Sequence, residues 1–158
     1  MANPQNSQMQ TKKGEKVQTL LETICRQQMP LIIEKYYCID AFVMGHHVYK
    51  DIWKPTLGEE LDVSMEPNNI KDKYAVAVHQ KGKTVVVGHL PLGRSAKFAK
   101  TIYFFLKASS YNRCKAVVNA EKAVNQKDDL GMKVPCRLEF ISEEKYLNIL
   151  KERLPKRL

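Results

Sequence analysis

No apolar run in this chain approaches the length of a membrane span, and the opening residues MANPQNSQMQTK lack the apolar stretch of a secretory signal. A soluble, intracellular protein is the expectation. Cysteine is scarce: Cys25, Cys38, Cys114 and Cys136 stand singly in or beside apolar runs, with no Cys-x-x-Cys spacing. That argues against a disulfide framework and predicts buried, reduced thiols. Zinc is disfavoured on the same grounds. His46 and His47 are adjacent, so on a strand they would point to opposite faces, and no cysteine lies at zinc-ligand spacing from any histidine. The chain also lacks a phosphate-cradling glycine loop, a Gly-x-Ser-x-Gly elbow and a recognisable acid-base pair of carboxylates. Neither an enzyme nor a bound cofactor is expected.

What is present is positive charge. Across 158 residues, 26 Lys and Arg face 17 Asp and Glu, a formal net charge of +9. Such a surface attracts polyanions, nucleic acid first and acidic membranes second, although lysines also serve merely to solvate a face. The length suits one compact domain with a core and is too short for that domain plus a motor.

Residues 1–13 read as a disordered lead-in. A helix is predicted within 14–30, where Val17, Leu20, Leu21 and Ile24 share a face and Pro30 ends the segment. Such a helix packs on the rest of the chain or on a partner. Tyr36 to Tyr49 is a β-rich run with Gly45 as a bend, and Trp53-Lys54-Pro55 and Gly58 break it. Glu60 to Met65 alternates, with Leu61, Val63 and Met65 inward. Ala75 to His79 and Thr84 to Gly88 form two short strands around a Gln80-Lys81-Gly82-Lys83 hairpin. From Gly93 to Lys107 the period becomes helical, with Phe98, Ala99, Ile102, Phe105 and Leu106 on one face and Lys97, Lys100 and Lys107 opposite. Arg113 to Ala120 and Lys133 to Ile141 are two more strands, joined by the polar turn or excursion NQKDDLG. Ser142 is placed to cap a helix over 143–158, with Tyr146, Leu147, Leu150 and Leu154 inward. The expected fold is mainly β with helices: an antiparallel barrel of about six strands, OB- or SH3-like, over 36–142. One helix is inserted between the fourth and fifth strands and others flank the barrel.

The stretch EPNNIKDKYAVAV at 66–78, followed by VVVGHLP at 85–91, sets a polar loop between strands, where binding groups are most easily held. Glu66-Pro67-Asn68-Asn69, Asp72, Ala75 to Val78 and Gly88-His89-Leu90 resemble the signature of the HIRAN domain. The resemblance extends to Trp53-Lys54-Pro55, Gly58-Glu59-Glu60-Leu61 and Val134-Pro135-Cys136. It implies a small β-barrel of the kind mostly found fused to Swi/Snf-type DNA translocases, where it captures the 3′ end of single-stranded DNA. It further implies a nuclear setting and a part in DNA repair.

By that resemblance Asp72 accepts a hydrogen bond from a terminal 3′-hydroxyl, a role that suits an aspartate because it repels phosphate yet accepts from a hydroxyl. His89 matches a pocket residue. The sequence departs from the family at three places: Lys71 stands where a tyrosine precedes the aspartate, Leu92 where a lysine follows the histidine, and His47-Val48 where an Arg-Tyr pair is usual. Tyr49, Trp53 and Tyr74 offer replacement stacking, and Lys71, Lys73 and Arg94 replacement charge. Asp72, His89, Asn68, Asn69, Lys71, Tyr49 and Arg94 are therefore the candidate nucleic-acid-binding residues. Each also has a plainer reading: Asn68, Asn69 and Asp72 as turn formers, His89 as a half-buried histidine, Trp53 as a lid over the core. The expected function is non-catalytic binding of single-stranded nucleic acid, DNA before RNA, with no membrane partner. The rival is a protein-interaction module that lost the pocket and docks a partner through its terminal helices.

Overall fold

A computed structural model describes residues 14–20, 31–120, 124–125, 131–156 and 158. The chain divides into two units, 1–32 and 33–158. In the first, α1 spans 14–20, with Val17 and Leu20 exposed. The rest of the lead-in and of the predicted helix, including Leu21, Ile24, Cys25 and Pro30, lies outside the described residues.

The second unit begins with β1 (Lys35–Met44), whose Ile39, Ala41 and Val43 alternate inward. Gly45 ends it at φ 82°, a left-handed conformation that a side chain resists. The chain then forms the short helix α2 (His46–Tyr49) rather than the continued strand expected up to Tyr49. His46 is buried and Val48 exposed, an exchange of faces that strand alternation did not anticipate. The His46 imidazole donates from Nε2 to the Trp53 carbonyl at 3.2 Å, the only role a carbonyl allows that nitrogen. Trp53 is 2% exposed and donates from its indole to Glu59 at 3.0 Å. It is a core lid and is unavailable for base stacking.

β2 (Glu60–Met65), β3 (Val76–Gln80) and β4 (Val86–His89) form a meander. The hairpin at 80–83 turns through Gly82 at φ 69°, with Lys83 N–H donating to the Gln80 carbonyl at 2.9 Å. A single helical turn at Arg94–Ala96 leads into α3 (Phe98–Ala108). Its inward face is Phe98, Ala99, Ile102, Tyr103 and Phe105, with Leu106 half-buried. β5 (Arg113–Val118), the two-residue β6 (Val124–Asn125) and β7 (Met132–Ser142) follow, then α4 (Glu144–Arg153). Residues 126–130 of the predicted polar turn are not among those described.

All pairings are antiparallel, in the order β1-β4-β3-β2-β5-β7, and β7 pairs back onto β1. The result is a closed six-stranded barrel with β6 added to β7, consistent with an OB-like barrel. Closure leaves short strands without exposed edges. The seams differ greatly in length. β1 and β7 are zipped from Lys35↔Ser142 to Met44↔Lys133, whereas β1 meets β4 at Met44↔His89.

Ser142 does not cap α4. Its hydroxyl donates inward to Asn112 Oδ1, and Asn112 in turn donates to the Phe105 carbonyl at 2.7 Å, so a buried polar pair ties β7 to the end of α3. The period-two pattern of β7 already points Ser142 inward, which overrides its capping preference. Cys114 and Cys136 are buried as expected, but Cys38 is exposed. Burial pushes the Cys136 thiol up to about 12, with the nearby Asp40 carboxylate adding to it, so Cys136 stays a thiol.

Candidate nucleic-acid interface

The loop between β2 and β3 is stapled at both ends. Glu66 N–H donates to the Ala75 carbonyl at 2.9 Å, and Ala75 N–H to the Asp72 carbonyl at 3.1 Å. Inside it, the Asn69 side-chain oxygen accepts from the N–H groups of Lys71 at 2.9 Å and Asp72 at 3.0 Å. This is the local side-chain mimicry of a turn for which asparagine is suited. Asn69 therefore builds the loop. Its amide nitrogen donates at 2.9 Å to Glu66, which also meets His89 Nε2 at 2.6 Å. The pair joins the loop to the last residue of β4.

Glu66 belongs to the site although it was not among the candidate residues; its place in the Glu66-Pro67-Asn68-Asn69 motif was the available signal. Burial is the largest single influence on its carboxyl and pushes its pKa up. The hydrogen bonds from Asn69 and His89, with the charges of His89 and His79, together outweigh it and hold the pKa below the ordinary 4.5.

Asp72 is half-buried, and its Oδ1 accepts from Tyr74 N–H at 2.8 Å. Among the described residues its other carboxylate oxygen has no hydrogen-bond partner. One oxygen holds the turn and the other is free to accept.

These residues face an open groove of about 640 Å³. Tyr49, Asn68, Asn69, Lys71, Asp72 and His89 all line it, together with Glu66. Arg94 does not: it lines a second groove on the far side of the 91–94 segment. Arg94 opens the turn at Arg94–Ala96, where Gly93, Ser95 and Ala96 all take positive φ.

The three departures from the family pattern also reach the groove or its edge. Val48 and Leu92 line it as exposed apolar residues, beside a fully exposed Ile70. His47 is instead engaged by Met132 N–H at 3.4 Å. The groove's acidic side chains, Glu66 and Asp72, outnumber its one lysine, Lys71. Such a surface accepts hydrogen bonds from neutral donors and gives phosphate no net attraction.

Beyond the loop lies an aromatic group that the sequence reading noted only as Tyr74. Tyr74 packs on Tyr103 and Phe104 with ring centroids 5.5 and 5.3 Å away, and Lys73 and Lys100 sit 5.0 and 4.7 Å from its ring centroid. Among the described residues there is no cluster of three His, Cys, Asp or Glu side chains placed to hold a metal, and no helix long and apolar enough to cross a membrane.

No family model matches the sequence, and no curated protein matches it. Solved structures do. The crystal structure of the HIRAN domain of human HLTF is 18% identical with a TM-score of 0.58, covering 79% of this chain and 96% of that one. The solution structure of the HLTF HIRAN domain is 16% identical at a TM-score of 0.53, and the same domain in its DNA-bound conformation is 19% identical at 0.53; each match covers 76% of this chain and 91% of the other. These matches, each spanning more than three quarters of this chain, show that it has a HIRAN-like fold.

Proposed function

We propose that this chain is a non-catalytic nucleic-acid-binding module whose first groove receives the free 3′ end of single-stranded DNA. The observation that carries the reading is the free oxygen of Asp72 in a groove with no net attraction for phosphate. A terminal hydroxyl is a neutral donor of a nucleic-acid strand, from which such a carboxylate accepts without meeting a negative charge. The Glu66–His89 pair braces Asn69, which in turn holds the Asp72 N–H, so the acceptor is pre-organised. The HIRAN-like fold supports the same reading, since the similar HLTF HIRAN domain is known in a DNA-bound conformation. Exposed Val48, Leu92 and Ile70 give a terminal base apolar contact. An intracellular, nuclear location is part of the proposal.

The test is fluorescence anisotropy with matched single strands ending in a free or a phosphorylated 3′-hydroxyl. Tighter binding of the free end supports the reading. Equal binding of both ends refutes end recognition, and failure to bind either strand even at low salt refutes a nucleic-acid function in favour of a protein-interaction module.

A further inference from the structure

The groove that receives Arg94 has a chemistry opposite to that of the first. It encloses about 880 Å³ beside Phe42 and Phe98, and its charged lining is Arg94, Lys97, Lys133 and Arg153 against Glu152. The ion pairs among the described residues engage Lys35, Lys81, His89, Arg113, Lys115, Arg137 and Lys145. None engages the four cations of the groove; Lys133 lies 3.9 Å over the Phe42 ring. A merely solvated helix face does not account for this arrangement. Lys97 is the residue from which α3 starts, and no acidic residue stands in that helix's first turn, so the cation sits at the end where the helix dipole disfavours it.

The two grooves share a wall. Gly45, Leu90 and Leu92 line the first, and their chain neighbours Met44, Pro91 and Gly93 line the second. We infer that the second groove binds the phosphodiester backbone of the strand whose 3′ end sits in the first, so that one groove reads a hydroxyl and the next holds phosphates. The inference rests on the nucleic-acid reading of the chain. Charge complementarity and the shared wall carry it: four basic side chains against one acidic side chain suit a polyanion, and the position beside the first groove suits the continuation of a strand that ends there.

The test compares the parent with an Arg94→Gln, Lys97→Gln, Arg153→Gln triple variant, all three positions being exposed. Ligands are thymidine oligonucleotides of about 3 and about 12 nucleotides with free or phosphorylated 3′ ends, and phosphatidylserine vesicles. The parent is expected to bind the longer strand more tightly, with an affinity that falls steeply with salt. The triple variant is expected to lose that gain, roughly 10-fold or more at low salt, and to show a salt slope shallower by about 2, while keeping its preference for a free end. A variant that binds the longer strand like the parent overturns the inference. So does unchanged strand binding combined with loss of vesicle binding, which would assign the groove to a lipid surface. If neither protein distinguishes free from blocked ends but the length gain vanishes in the variant, the end-reading fails and the phosphate groove stands. If the parent binds no oligonucleotide at low salt, both fail.

Discussion

Glu66 takes hydrogen bonds from Asn69 in its own loop and from His89 on β4, so a single carboxylate fixes the distance between the two parts of the motif. Its pKa is lower in the folded chain than in the unfolded one. The stability it contributes is therefore present above about pH 4.5 and is lost as pH falls through the lowered folded value. Thermal melts from neutral pH down to about pH 3 are expected to show the parent melting above Glu66→Gln at the upper end and the two converging at the lower. A constant gap would mean that the Glu66 charge does not matter. At this scale the loop residues were legible because Asn and Asp announce turns through short-range chemistry, and Asn69 and Asp72 do make those bonds. Glu66 was not singled out because its partner is 23 positions away. That Arg94 lines a different groove from His89 was not legible, because the positive φ of Ser95 and Ala96 has no signature in the neighbouring side chains.

Among the elements, β4 and α3 hold the site in place. An added Cβ at Gly88 would lie 2.5 Å from the Met44 carbonyl oxygen and 2.5 Å from Val43 Cγ1, so the glycine before His89 permits the close approach of β4 to β1. Gly88→Ala is expected to destabilise the fold by about 1–3 kcal/mol in denaturant melts, because backbone must shift to admit the methyl. No loss would mean that the seam is loose. Ile102 is completely buried under the barrel, and Ile102→Ala is expected to cost about 2–5 kcal/mol by the same measurement; a cost under 1 would place α3 off the core. The period of α3 and the alternation of β2 and β7 were readable because one face of each is buried. The helix α2 was not. Four residues with a valine and a tyrosine favour a strand locally, and only the left-handed Gly45 and the fit of His46 against Trp53 decide otherwise.

For the barrel unit, charge and topology are arranged together. Ion pairs tie carboxylates to cations along β2, β5 and β7, while Arg94, Lys97, Lys133 and Arg153, none of them in an ion pair among the described residues, line the groove that Met44 of the β1–β4 seam also lines. The net charge of +9 gave the sign of this field but not its location, since location depends on which cations find partners far away in the chain. The measurement that bears most directly on the whole account is the ratio of affinities for free and 3′-phosphorylated strands in Asp72→Asn. Asparagine keeps an acceptor for Tyr74 N–H, so the turn persists, but it presents an amide donor where the free carboxylate oxygen was. If Asp72 accepts from the terminal hydroxyl, the variant binds free ends about tenfold or more weakly and loses the preference over blocked ends. If Asp72 is only a repulsive charge near phosphates, the variant binds both ends at least as tightly as the parent with an unchanged ratio, and end recognition by this groove is contradicted.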